Sequence, residues 1–166
     1  SLVDKRLERL AETRKKGKPT ADELREEIVM QQLKEGLSQG QPIRDVELSP
    51  DDQRLLRHYQ FLTGQPVLIV LNIAEKDLPQ AEKVVQEMQA GYPHGHSLVT
   101  AICGKLEMEL AQLEPAEAVE FMAALGIAEP GLNRVLRLSY DLLGLVSFLT
   151  YGPDEVRAWP VRKGSL

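Results

Sequence analysis

One cysteine, Cys103, stands among 166 residues, so an internal disulfide is excluded and a reducing, cytoplasmic setting is expected. Long apolar runs are missing too. The longest stretches free of Asp, Glu, Lys and Arg, His58 to Ala74 and Met88 to Gly104, are broken by Pro, Gly, Gln or His. Both fall short of the ~20 apolar residues that a membrane span needs. The chain does not open with a basic segment followed by an apolar one, as a secretory signal does. An excess of basic charge is also lacking: 20 Lys and Arg stand against 25 Asp and Glu, a net charge of -5. Residues 1–57 carry 12 acidic and 12 basic residues and residues 58–166 carry 13 and 8, so the acidity lies mostly in the second part. Counterion release needs a basic face, which excludes a whole-protein grip on nucleic acid and leaves only local contact. What is present, 43% hydrophobic and 27% charged residues, suits one soluble domain or two small ones with a real core.

Val3, Leu7 and Leu10 form a narrow apolar stripe among charges, the mark of one helix of a pair. Gly17-Lys18-Pro19 breaks it, and Thr20-Ala21-Asp22-Glu23 reads as a capping box that opens a second helix. Its apolar stripe is Leu24, Ile28, Leu33 and Leu37, and Gly40 supplies a left-handed end. So short a loop makes the two helices antiparallel, and such thin stripes suit a coiled-coil arm, with an ordinary helical bundle as the alternative. Ser49-Pro50-Asp51-Asp52 starts another helix, with Leu55, Leu56 and Tyr59 on its inner face.

Val67 to Leu71 is a continuous aliphatic run of strand length, expected to be buried on both faces as in a parallel sheet. A helix from about Asp77, with Val84, Val85 and Met88 inward, leads to a second run, Leu98 to Ile102, completing a βαβ unit. Helices at about Leu106 to Leu113, Pro115 to Leu125 and Leu132 to Leu143 precede a hairpin of Val146 to Thr150 and Glu155 to Val161, with Leu142 to Leu149 and Trp159 expected in a core. Parallel α/β sheets bind ligands at the carboxyl ends of their strands. Those ends carry Asn72-Ile73-Ala74-Glu75 and Cys103-Gly104-Lys105. Taken alone, either could be an ordinary loop, and Cys103 a small buried residue at a strand end. His94 and His96 have no third ligand nearby, so a solvated loop is expected there and no metal site.

Leu62 to Glu75, ending in N-x-x-E, resembles a segment of the YchF/Obg-like ATPase family. Collinear matches follow at Cys103 to Glu107, Glu120-Phe121 with Leu125-Gly126, Leu132-Asn133-Arg134, Ser139-Tyr140 and Phe148 to Trp159. The last is similar to the F-x-T-x-G-x-x-E-V-R-A-W signature that opens the family's TGS domain. The resemblance implies an α/β fold: the second half of a P-loop NTPase parallel sheet (48–144), an antiparallel coiled-coil arm (1–47), and the first hairpin of a truncated TGS domain (145–166). It implies part of a translation-factor-class enzyme that hydrolyses ATP, and possibly GTP, with Mg2+. The chain lacks a G-x-x-x-x-G-K-[ST] phosphate cradle, Gly104-Lys105 having no upstream Gly at the required spacing. The cradle and magnesium ligands are expected before Ser1 and most of the TGS sheet after Leu166.

By the same resemblance, Asn72 reads the edge of the base and Ile73 helps hold the ring. Glu75 stands where GTPases use an Asp on guanine, and Cys103, Gly104 and Lys105 form the second base-contacting loop, with the Lys105 stem along the base. No catalytic residue is expected in this chain, and alone it should bind nucleotide only weakly. The partners implied are a nucleotide and the ribosome or RNA, without a membrane, for a monomeric protein. Arg14, Lys15, Lys16 and Lys18 crowd the turn of the arm and are the candidate RNA contact. The competing reading is a non-catalytic protein- or RNA-binding module in which the α/β half is only a pedestal.

Overall fold

The computed structural model describes residues 1–165 and divides after Gln65 into two compact units. In the first, α1 (Leu2–Lys16) starts at a capping box of Ser1 and Asp4. The expected box of Thr20 and Glu23 opens α2 (Ala21–Ser38): the Glu23 N–H donates to Thr20 Oγ1 at 3.2 Å and the Thr20 N–H to the Glu23 carboxylate at 2.8 Å. Gly40 takes the left-handed conformation at φ 79°. Asp4 pairs with Lys34 at 2.9 Å and Arg14 with Glu27 at 3.6 Å, so the helices run antiparallel. Their core holds Val3, Val29, Met30 and Leu33 with Ile43 and Leu56.

Of the stripe expected on α2, Leu33 is buried and Leu37 packs against the core, but the other two residues do neither. Leu24 and Ile28 are 41% and 66% exposed, whereas Glu26 is only 7% exposed. Residues 26, 29, 30 and 33 share one helical face, and Leu24 and Ile28 lie on the opposite one. Glu26 can face inward because its charge is matched. Arg6 Nε and Nη2 each donate to its carboxylate at 2.7 Å, and the Tyr59 hydroxyl donates to the same group. The arginine foremost holds the Glu26 carboxyl below its ordinary range, against burial. Burial, then Glu26, pushes the Tyr59 phenol up to about 12. After α2, α3 (Pro50–Leu55) is capped by Ser49, whose hydroxyl accepts from the Asp52 N–H, and passes into a 3-10 turn, Leu56–His58.

The second unit opens with β1 (Val67–Asn72), which pairs in parallel with β2 (Ser97–Ile102), from Val67 opposite Ser97 to Asn72 opposite Ile102. The crossover begins as a 3-10 segment, Glu75–Gln80, and becomes α4 (Ala81–Gly91) later than the sequence implies. Pro79 lies inside that 3-10 segment and disfavours the α conformation at Leu78. Val99, Thr100 and Ala101 of β2 are buried. β1 is not buried on both faces, and Val70 is 39% exposed. The sheet has two strands among the described residues, so each strand has one free edge.

α5 (Gly104–Leu110), α6 (Pro115–Ala124) and α7 (Gly131–Leu143) follow, the last ending at Gly144 with φ 62°. β3 (Leu145–Tyr151) and β4 (Val156–Arg162) form the expected antiparallel hairpin. The expected core there is open. Trp159 is 46% exposed, opposite Phe148, with its indole N–H on Thr150 Oγ1 at 3.0 Å. Leu143, Phe148 and Leu149 are exposed as well. A two-stranded ribbon has no second layer to cover its faces.

Candidate functional site

Because Asn72 is in register with Ile102, the loops after β1 and β2 leave the sheet side by side, joined by the Ile73 N–H donating to the Ile102 carbonyl at 2.8 Å. The Asn72 side chain crosses between them: its Oδ1 accepts the Gly104 N–H at 3.0 Å. Gly104 permits this approach, since a Cβ there would sit 3.3 Å from the same oxygen. With Oδ1 engaged, Asn72 keeps its two amide hydrogens for an acceptor in the space outside. Nearer solvent, Lys105 Nζ donates to Glu75 at 3.2 Å and lies 3.7 Å from Glu109. Glu75, then Glu109, raise the Lys105 pKa, which keeps the ammonium charged.

These residues surround an open cavity of about 850 Å³ lined by Asn72, Ile73, Glu75, Cys103 and Lys105. Gly104 does not itself line the cavity. Cys103 is 4% exposed, as expected of a small residue at a strand end. Leu78, Pro79 and Leu125 add apolar wall that the strand-end rule alone does not supply. For Leu125 a local sign was available, because Gly126 follows it at φ 67°, where a helix ends and the chain turns back. The result is a concave site that sets a few polar groups among apolar walls.

At the other candidate surface, α1 ends in Arg14, Lys15 and Lys16, with Lys18 in the following turn, and all four are exposed. Arg14 is partly engaged by Glu27 at 3.6 Å. Among the described residues no group of three or more His, Cys, Asp or Glu could hold a metal, and no helix is long and apolar enough to cross a membrane.

A βαβ unit with two polar loops converging at its strand ends belongs to the class of α/β proteins that bind ligands at the carboxyl edge of a parallel sheet. No family model matches the chain. The ribosome-binding ATPase YchF of Bacillus subtilis is 34% identical over 164 residues, 98% of this chain and 44% of that protein. Its namesake from Haemophilus ducreyi is 39% identical over 123 residues, 74% of this chain and 34% of that one. The solved YchF GTPase of Schizosaccharomyces pombe superposes with a TM-score of 0.79 at 26% identity, covering 98% of this chain and 45% of that structure. The chain belongs to the YchF family. It spans less than half the length of these relatives.

Proposed function

We propose that this chain is the base-recognition half and helical arm of a YchF-type nucleotide hydrolase that works on the ribosome. The observation that carries the reading is the junction of Asn72, Gly104, Glu75 and Lys105 at one cavity, at the strand ends where this class binds ligands. In it, residues 1–47 are the coiled-coil arm, 48–144 the second half of the nucleotide domain and 145–166 the start of a TGS domain. The Asn72 amide offers its hydrogens to a ring nitrogen of the base. Ile73, Leu125 and the Lys105 stem flank the ring. Glu75, one methylene longer than the Asp of guanine-reading sites, accepts from an exocyclic amine.

The donor set fits a base and not the rest of the nucleotide. The cavity offers Asn, Glu and Lys side chains and apolar walls, and no G-x-x-x-x-G-K-[ST] loop is present to cradle phosphates. Bound ATP or GTP with Mg2+ would supply the phosphoanhydride and its charge neutralisation. This chain's residues select and orient the base. The similarity to ribosome-binding ATPases supports the ribosome as partner, and the exposed lysines at the arm's turn, Lys15, Lys16 and Lys18, suit a phosphate backbone.

Nucleoside titration of the 15N-labelled chain tests the reading. Adenosine should shift the Asn72 side-chain amide and the Gly104 amide, with an affinity no tighter than about millimolar because only base contacts are made. Shifts confined to other surfaces would refute it.

A further inference from the structure

The loop of Cys103, Gly104 and Lys105 is gripped from behind by α7. Pro130 precedes that helix and offers no side-chain cap, yet the first N–H groups are satisfied. Glu107, from the first turn of α5, does this from across the fold: its Oε1 accepts the Gly131 N–H at 2.7 Å and its Oε2 the Leu132 N–H at 3.1 Å. Only glycine fits at 131. A Cβ there would come within 2.7 Å of Glu107 Oε1 and 2.8 Å of Ile102 Cγ2. One turn on, Arg134 Nη2 donates to the Ala101 carbonyl at 2.7 Å, two residues before Cys103. One helix therefore holds the strand before the loop and the helix after it. At its front, the loop meets the site through the Gly104 N–H on Asn72.

We propose that Glu107, Gly131 and Arg134 are positioning residues for base selection. None of the three lines the cavity of Asn72 and Glu75, so their influence passes through the loop. The carbonyl anchor at Ala101 and the helix cap at Glu107 bracket a five-residue segment, Ile102 to Leu106. Its middle N–H then has one position in which it fixes Asn72 Oδ1 and leaves the Asn72 amide hydrogens aimed outward. Releasing either end lets Gly104 drift, and the Asn72 amide can then turn over and present its oxygen instead. Adenine and guanine differ in donor and acceptor placement, so a freely turning amide distinguishes them less. The inference rests on the base-recognition reading above.

The test uses the full chain and two readouts. One is hydrogen exchange of the Gly104 amide relative to that of Ala101 in the free protein. The other is the ratio of adenosine to guanosine dissociation constants. Glu107→Ala should speed Gly104 exchange by about tenfold over Ala101, the worth of one net hydrogen bond, and move the nucleoside ratio at least about threefold toward one. Glu107→Gln, which keeps one acceptor, should restore part of both. Arg134→Lys keeps the charge but not the guanidinium geometry and should act in the same direction, giving a second handle if Glu107→Ala fails to fold. The proposal is overturned if both variants lower the melting temperature while the relative Gly104 exchange and the nucleoside ratio stay at wild-type values. Nucleoside-induced shifts in the wild-type chain that spare both Asn72 and Gly104 overturn the base reading itself, and the positioning role with it.

Discussion

Replacing Glu26 by alanine removes a buried carboxylate that accepts two hydrogen bonds from Arg6, each 2.7 Å, and a third from Tyr59. The variant leaves a guanidinium and a phenol without their acceptor. Breaking a buried pair from one side costs about 3–5 kcal/mol. Arg6 keeps 31% of its side-chain surface in water, which softens the loss, so about 2–3 kcal/mol is expected. Urea unfolding followed by circular dichroism at pH 7 measures it. The double variant Arg6→Met, Glu26→Met should recover most of the loss, because well-packed apolar groups replace an ion pair at little net cost. The pH dependence has a definite sign. The Glu26 carboxyl is lowered in the fold, so its contribution is complete above the ordinary carboxylate value of 4.5 and fades as pH falls through the lowered one. The gap between wild type and Glu26→Ala should therefore close in acid. Tyr59 is raised, so its contribution holds below its ordinary value of 10.0 and is lost as pH climbs through about 12. A loss under about 0.5 kcal/mol for Glu26→Ala, or a gap that widens below pH 4, would show that Glu26 does not hold Arg6 and Tyr59 as a buried charge pair.

Two further perturbations act elsewhere. Gly131→Ala should destabilise the second unit by about 1–3 kcal/mol, because two atoms within 2.8 Å must move, whereas Gly17→Ala, with nothing within 4 Å and no left-handed φ, should be neutral or slightly stabilising; thermal melts of the two variants separate these. Changing Lys15, Lys16 and Lys18 together to Ser should flatten the salt dependence of RNA or ribosome binding by up to about three contacts, each worth about 0.7–0.9 in the slope of log K against log salt. An unchanged slope with the arm still helical would return these lysines to the role of charges that complement the end of α1.

Local chemistry was legible in the sequence wherever one short segment held all the partners. The Thr20 and Glu23 box opens α2 at the expected residue because both halves of the cap lie three positions apart. The β1, α4 and β2 order, and the meeting of the Asn72 and Gly104 loops, follow from two apolar runs and a helix between them. Features that depend on distant partners were not legible. Glu26 reads as a solvent residue until Arg6 and Tyr59, 20 and 33 positions away, are brought to it. That arrangement turns α2 so that Leu24 and Ile28 face out. Glu107 likewise caps a helix 24 positions later, a pairing with no local signature. The exposed faces of β1, Phe148 and Trp159 show the limit of hydropathy: it marks strands that can be buried and not what lies against them.

The proposal for this chain is that Asn72 and Glu75 read the base. Its most direct test is competition between ATP and GTP for a full-length YchF protein carrying this sequence, compared with the same protein bearing Ile73→Lys and Glu75→Asp. Those changes restore the N-K-x-D pattern of guanine-reading sites. With charged hydrogen bonds worth ~1.5–3 kcal/mol, the preference should move toward GTP by about tenfold to 150-fold. A preference unchanged by the double substitution, in a protein that still binds both nucleotides, would mean that Asn72 and Glu75 do not read the base.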